Sequence, residues 1–449
     1  MSSLPLPKWS TLLPELLLMV VERLHIADIA RVSAVCGHWA WVLGRPLRGY
    51  LPPPPNLLLH VDNSMPWMLL PNKHREEADY LSFQIINRFD KGIISFLPEM
   101  VGRRCIGSSP EGSWLVTLDL ALDPRILNPL TRKEFCLPSL RTIPTDYKAI
   151  FDGSDGTVLE FIDYKNRISY PANIFRDAFI RRVIITDAPP NGVAVAFYGF
   201  HYEDACMALT RPGDPNWVSI PKVRLFGSFM DAVYRQEDQS LYVVACDGTV
   251  VIFNLTNFIS SSRPTPKPKI LTTSLDLQIR NIRPVVKYLV FLDGELLQIW
   301  RTLRSYTAKG TRCGNWEDEY SSPIVGIETR QIEVMRFKSG GLPTQRHDPQ
   351  SCWVKVRDLG NHSLFIGCNH TLVVSVSENS ELRPNCIYFT DDSHGQCDLD
   401  QQTKAWDVGV YDIKNGTIER FFPPNSDEQV IWPPPSWFMP PKLYFTLTK

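Results

Sequence analysis

From residue 57 onward the chain is a succession of short runs rich in Val, Ile, Phe and Tyr separated by turn residues, and that texture restricts it to an all-β architecture. The clearest runs are Trp114 to Leu120, Thr157 to Ile162, Val183 to Thr186, Val193 to Phe200, Leu241 to Cys246, Thr249 to Phe253, Val285 to Leu292, Glu295 to Trp300, Ile332 to Phe337, Thr371 to Val376, Cys386 to Thr390 and Val408 to Ile413. Between them stand Asp152-Gly153, Asp155-Gly156, Asn191-Gly192, Asp247-Gly248, Asp293-Gly294 and Asn415-Gly416, pairs that supply the positive φ of tight hairpins. Gly153, Gly192, Gly248, Gly294 and Gly340 recur about every 40 to 55 residues, the scale of a propeller blade. No βαβ alternation appears. An all-β unit of about 400 residues must divide into sandwiches or close radially, and the absence of an internal linker favours closure. Roughly two dozen strands at four per blade predict a large propeller of about six or seven blades.

The first fifty residues have a different period. After Pro14, whose fixed φ suits a first helical position, apolar residues recur at Leu13, Leu16, Leu17, Val20, Val21 and Leu24. A second run holds Ile29, Val32, Val35, Cys36, Trp39, Val42 and Leu43 before Gly44 and Pro46 stop it. The reading is a small all-α module over residues 9–49. A segment of about 35 residues this rich in large apolar side chains exceeds what it can bury alone, so part of its surface expects a partner. Pro52 to Pro55 then favour a stiff spacer, placing a linker at 50–56 and the β unit at 57–449.

The order Leu13-Pro14-x-Leu16-Leu17, Arg23-Leu24, Asp28, Arg31, Val35-Cys36 and Trp39 resembles the F-box, the module by which substrate receptors dock on the Skp-type adaptor of cullin-RING ubiquitin ligases. The resemblance implies adaptor-binding roles for Leu13, Pro14, Leu16, Leu17, Ile29, Val35 and Trp39. The β unit carries a second resemblance in Pro66-Trp67, Cys105 to Leu115, Leu127-Asn128-Pro129-Leu130-Thr131, Leu137-Pro138, Arg211 to Trp217, Gly294 to Leu297, Leu364 to Gly367, Pro384 to Asp392 and Gly409 to Asp412. These look like plant F-box proteins with a KIB-type β-propeller. Arg132 departs from that pattern, standing where the family usually has a turn glycine after Asn-Pro-Leu-Thr.

Other chemistry finds little support. Net charge is -1, from 47 basic and 48 acidic side chains, so no global field advertises nucleic acid or a membrane surface. The ten cysteines form no Cys-x-x-Cys pair and read as reduced, mostly buried thiols. Leu12 to Val21 is interrupted by Pro14 and Glu15 and is too short to span a bilayer; cytoplasm, nucleus or both are expected. Gly107 to Gly112 has the frame of a phosphate loop, but Ser113-Trp114 replace the Lys-Ser/Thr that reaches phosphate, so it reads as a structural turn. Asp391, Asp392, His394, Cys397, Asp398 and Asp400 fit neither zinc nor calcium spacing and read as a solvated loop. Trp217 and Trp353 read as core aromatics. No catalytic residue, metal or cofactor is nominated.

The resemblances imply a non-catalytic substrate receptor of an SCF-type ligase, with the adaptor and its cullin-RING ligase as one partner and an unidentified target protein as the other. A propeller enzyme with an N-terminal interaction helix pair and a non-degradative scaffold are the alternatives. Target recognition is expected on long polar segments: Tyr202 to Asp204, Arg304 to Tyr320, Lys338 to Gln350 and Asp391 to Gln402. Within the second, Arg304, Arg312, Trp316 and Tyr320 have the Arg and aromatic content of interface hot spots.

Overall fold

A computed structural model describes residues 12–21, 38–39, 58–61, 66–71, 80–85, 93–94, 98–129, 132–154, 156–200, 206–220, 228–259, 265–272, 285–307, 324–338, 353–378, 382–392, 407–421, 434–440 and 443–446. Five sheets of four strands and one of five are arranged as blades, and all their pairings are antiparallel but one. Blade 1 joins Trp67–Pro71, Tyr80–Ile85 and Ile93–Ile94 to the late strand Ser436–Phe438. Blade 2 is Arg104–Ser108, Leu115–Leu118, Pro124–Asn128 and Lys133–Cys136, and blade 3 is Ile180–Ile185, Ala194–Tyr198, Cys206–Thr210 and Val218–Ile220. Blade 4 is Phe229–Arg235, Ser240–Ala245, Val250–Asn254 and Pro268–Thr272, and blade 5 is Val285–Leu292, Glu295–Thr307, Ile324–Phe337 and Trp353–Val356. Blade 6 contains His362–Ile366, Leu372–Ser375, Cys386–Phe389, Gly409–Asp412 and Thr417–Arg420, with the first and third of these running parallel.

Contacts between successive blades run all the way round. Met439 N donates to the Gly112 carbonyl between blades 1 and 2, at 3.0 Å. Gly107 lies so close to the Val183 carbonyl that only glycine fits between blades 2 and 3. Arg182 joins blade 3 to Asp231 of blade 4, and Asp231 accepts from Leu289 N of blade 5 at 2.9 Å. Arg301 joins blade 5 to Asp392, beyond the third strand of blade 6, and Trp437 Nε1 in blade 1 donates to the Ile366 carbonyl in blade 6 at 2.9 Å. The sheet therefore closes through Ser436–Phe438, which hydrogen-bonds to Trp67–Pro71 and removes an open edge. Strands such as Ile180–Ile185, Ala194–Tyr198 and Ser240–Ala245 are buried along their whole length, because neighbouring blades cover both faces. This explains why these strands do not alternate apolar with solvent-facing polar residues, Arg181, Arg182 and Ser240 being buried with the rest.

Two further sheets lengthen the strand count without adding a blade. Tyr147–Phe151, Val158–Asp163 and Ile168–Pro171 form a separate three-stranded sheet inserted between blades 2 and 3. It packs through Phe161, which stacks on Phe175 at 4.1 Å, while Tyr147 meets Phe175 and Phe179 edge-on at 5.0 Å. A two-stranded ribbon pairs Leu58–Val61 with Leu443–Thr446.

The expected two-part fold, an all-α module followed by a propeller, is corrected. The described structure is a β-propeller whose N-terminal helical content is the eight-residue helix Pro14–Val21 and the pair His38-Trp39. Short helical turns elsewhere serve the propeller's connections. The physical reason is size: among the described residues of so short a segment Leu17 is fully buried, while Leu13, Leu16, Met19 and Val20 stay outside.

Candidate docking surfaces

The helix Pro14–Val21 begins where Pro14 needs no donor and closes its first turn with Leu17 N bonded to the Leu13 carbonyl at 3.0 Å. Leu17 is fully buried, whereas Leu13 is 62% and Leu16 46% exposed, with Met19 and Val20 also outside. Positions 13, 16 and 20 form one helical stripe. His38 Nε2 donates to the Leu12 carbonyl at 3.1 Å, tying residues 26 apart, and Trp39 is half-buried beside it. Pro14 starts the helix, and Ile29 and Val35 lie outside the described residues.

On the propeller, the polar groups with the most partners sit between blades. Arg301 is 1% exposed and reaches two carboxylates: Asp392 Oδ1 at 3.0 Å and Asp407 Oδ2 at 2.9 Å. It also donates to the Thr390 carbonyl at 2.7 Å and to Thr329 Oγ1 at 2.8 Å. Asp407 accepts from Thr329 N at 2.6 Å, and the Tyr288 hydroxyl bonds to Asp392. Burial alone would lower the Arg301 pKa; Tyr288, Asp392 and Asp407 hold it above the ordinary arginine value. Burial and the Asp392 carboxylate both raise the Tyr288 phenol, so it stays protonated. Arg182 repeats the pattern with Asp231 at 2.5 Å, Asp392 at 3.7 Å and the Gly367 carbonyl at 2.5 Å. Charges so matched and enclosed tie the blades together.

Asp392 is thus part of the structural centre, which corrects its reading as a solvated loop residue. Position 391 is half-buried, and His394, Cys397, Asp398 and Asp400 lie outside the described residues. Sequence could not have found this network, since Arg301 and Asp407 are 106 residues apart. Gly107 to Gly112 is a structural turn, with Gly112 N bonded to the Ser109 carbonyl at 2.9 Å. Trp217 is core: its Nε1 donates to the Pro138 carbonyl at 2.7 Å.

Of the expected target-facing residues, Arg304 lies on the second strand of blade 5, where Glu328 pairs with both Arg304 and Arg420. Arg312, Trp316 and Tyr320 lie outside the described residues, as do Tyr202 to Asp204 and most of the segments from Lys338 and from Asp391. Among the described residues no group of three His, Cys, Asp or Glu could hold a metal ion, and no helix is long and apolar enough to cross a membrane.

Residues 84–412 match the KIB1-4 β-propeller. The chain belongs to that family. Its relatives include three Arabidopsis thaliana proteins, of which F-box protein KIB4 is 23% identical over 452 residues, covering 96% of each chain. F-box/kelch-repeat protein KIB1 is 23% identical over 421 residues, covering 92% of this chain and 85% of its own. F-box protein KIB3 is 22% identical over 444 residues, covering 95% and 81%. The resemblance to plant F-box proteins with a KIB-type propeller is therefore borne out. Among solved structures, the Cps50 (Swd1) β-propeller domain of Myceliophteria thermophila aligns over 73% of this chain and 87% of its own, at 10% identity and a TM-score of 0.29, too low to carry an argument. Arg132, where the resemblance leads one to expect a turn glycine, adopts φ +55°, a left-handed conformation that glycine takes without strain.

Proposed function

We propose that this KIB1-4 propeller is the substrate-recognition subunit of an SCF-type ubiquitin ligase. Residues 9–49 dock on a Skp-type adaptor and through it on a cullin-RING ligase, 50–56 act as spacer, and 57–449 hold the target protein. The observation that carries this reading is the exposed stripe Leu13, Leu16 and Val20 on a helix anchored by Leu17, in a chain whose relatives are F-box proteins over nearly their whole length. An apolar stripe of this kind is stabilised by a partner's groove. The chain's contribution is proximity: holding a target beside the ligase makes transfer to lysine effectively intramolecular, and no residue of this chain needs to react.

The test follows a partner identified by proximity labelling with the proteasome blocked. The partner's lifetime should lengthen when the proteasome is inhibited or when this chain is removed. A partner that stays bound, with the same lifetime under all conditions, would instead mark the chain as a scaffold.

A further inference from the structure

Both Asn-Gly pairs of the chain stand in hairpins, and the structure holds them differently. Asn191-Gly192 turns Ile180–Ile185 into Ala194–Tyr198 in blade 3, and Asn415-Gly416 turns Gly409–Asp412 into Thr417–Arg420 in blade 6.

In blade 6 the polar groups of the pair are engaged. Asn415 Nδ2 donates to Asp412 Oδ2 at 2.9 Å, Asn415 N donates to Asp412 Oδ1 at 3.1 Å, and Gly416 N donates to the Asp412 carbonyl at 2.8 Å. In blade 3 the ends of the loop are tied and its tip is not. Thr186 N donates to the Val193 carbonyl and Val193 N to Thr186 Oγ1, both at 2.9 Å. Asn191 is exposed, and among the described residues neither its side chain nor Gly192 N has a hydrogen-bond partner. Packing demands glycine at the next position, since a Cβ on Gly192 would meet the Asp187 carbonyl at 2.3 Å. The nitrogen that follows Asn191 therefore carries no side chain to shield it.

We propose that Asn191 is a self-modification site, at which Gly192 N displaces the side-chain amide and water then opens the ring so formed. The attack closes a five-membered ring within one chain, so it needs no catalyst to bring its reactants together. Gly192 N gives its proton to hydroxide and bonds to Asn191 Cγ; the Cγ–Nδ2 bond breaks, and the departing nitrogen takes a proton from water, leaving as ammonia and restoring the hydroxide. Water then adds to either carbonyl of the cyclic imide. Opening at Cγ gives aspartate, and opening at the main-chain carbonyl gives isoaspartate with a free α-carboxylate. Either product adds a negative charge to the Asp187 hairpin, and isoaspartate also lengthens the main chain of a loop tied at both ends. Burial, then the Asp187 and Asp238 carboxylates, already hold the Tyr234 phenol of blade 4 above its ordinary value, so the new charge arrives where carboxylates of two blades meet. None of this depends on what the propeller holds.

The experiment ages the purified full chain in mildly alkaline buffer made with water enriched in heavy oxygen, then digests it in ordinary water, so that only conversions in the intact chain carry the label. Peptide mass spectrometry with electron-transfer fragmentation separates aspartate from isoaspartate. Labelled product should form at Asn191 at least about tenfold faster than at Asn415. In the denatured chain the two rates should agree within about threefold, because the reacting groups are the same. Asp412→Ala, with folding checked by melting, should speed conversion at Asn415, and Asn191→Gln, whose attack needs a larger ring, should abolish it at position 191. Equal rates in the folded chain, a tenfold gap that survives denaturation, or no response of Asn415 in a folded Asp412→Ala chain overturns the proposal. Should that variant fail to fold, the folded and denatured wild-type rates decide alone.

Discussion

Arg301 Nη2 and Asp407 Oδ2 stand 2.9 Å apart, joining the second strand of blade 5 to the segment that enters the fourth strand of blade 6, with 1% and 3% of their side chains exposed. The same guanidinium holds Asp392 on the other side of the connection between residues 392 and 407. Two carboxylates buried around one cation are stable only while the cation is present.

Replacing Arg301 by Met should therefore cost about 3–5 kcal/mol, because Asp392 loses a principal countercharge and Asp407 its nearest cation. Arg301→Lys should recover only part of this, since an ammonium cannot reproduce the fork that spans both carboxylates. Chemical denaturation of the purified chain reads both; equal stability of wild type and Arg301→Met would contradict the account.

Arg132 gives the opposite sign. At φ +55° it carries a left-handed strain of about 1 kcal/mol that glycine does not. Its ion pair with Glu99 is long, at 3.9 Å, and largely exposed on the arginine side. Arg132→Gly should be neutral to stabilising by up to about 1 kcal/mol. Gly107→Ala should do the reverse, since a Cβ there would meet the Val183 carbonyl at 1.6 Å and force blades 2 and 3 apart. A loss of at least about 1–3 kcal/mol is expected for that change. Melting of the two variants beside wild type checks both directions.

The buried His370 ring predicts an acid-side dependence. Burial, with Arg182 nearby, pushes its pKa down to about 4, against about 6.5 in an unfolded chain. Below pH 6.5 the unfolded chain takes up a proton that the folded chain refuses, so stability present above about pH 6.5 is lost as the pH falls to about 4. His370→Asn should flatten the difference in denaturation midpoint between pH 7 and pH 4.5, whatever it does to stability at pH 7. An unchanged slope would show that other groups carry the acid sensitivity.

Ring closure predicts a contrast between two truncations. Ending the chain before Pro434 removes Ser436–Phe438 and exposes the edge of Trp67–Pro71, so size-exclusion chromatography should show aggregation. Ending it after Pro440 keeps that strand and removes only the partner of Leu58–Val61, so the product should stay monomeric.

Hairpins were the most legible part of the sequence, because their chemistry is local. Asp293 and Gly294 take φ +51° and +78° between Leu292 and Glu295, as a two-residue turn requires. Strands that face the axis with polar residues were not legible: Arg104–Ser108 contains an arginine and a serine that are buried among other blades. The run from Val408 to Ile413, clear in the sequence, belongs to blade 6, and the closing strand is Ser436–Phe438. Three residues carry too weak a pattern to be seen. The insert between blades 2 and 3 contributed runs that read as blade strands, which is why six or seven blades were expected where six sheets are arranged around the closure. At the N-terminus the period identified the helix Pro14–Val21, but periodicity marks an apolar face without saying what covers it.

Adaptor binding by the stripe Leu13 and Leu16 tests the central claim most directly. Both side chains are outside, so Leu13→Asp with Leu16→Asp should leave the propeller's melting unchanged. The measurement is a pull-down of a purified Skp-type adaptor by the full chain, wild type against the double variant. The account predicts capture by wild type and at least a tenfold loss, about 1.4 kcal/mol or more, in the variant. A folded wild-type chain that captures no Skp-type adaptor, or a double variant that captures it equally well, would contradict it.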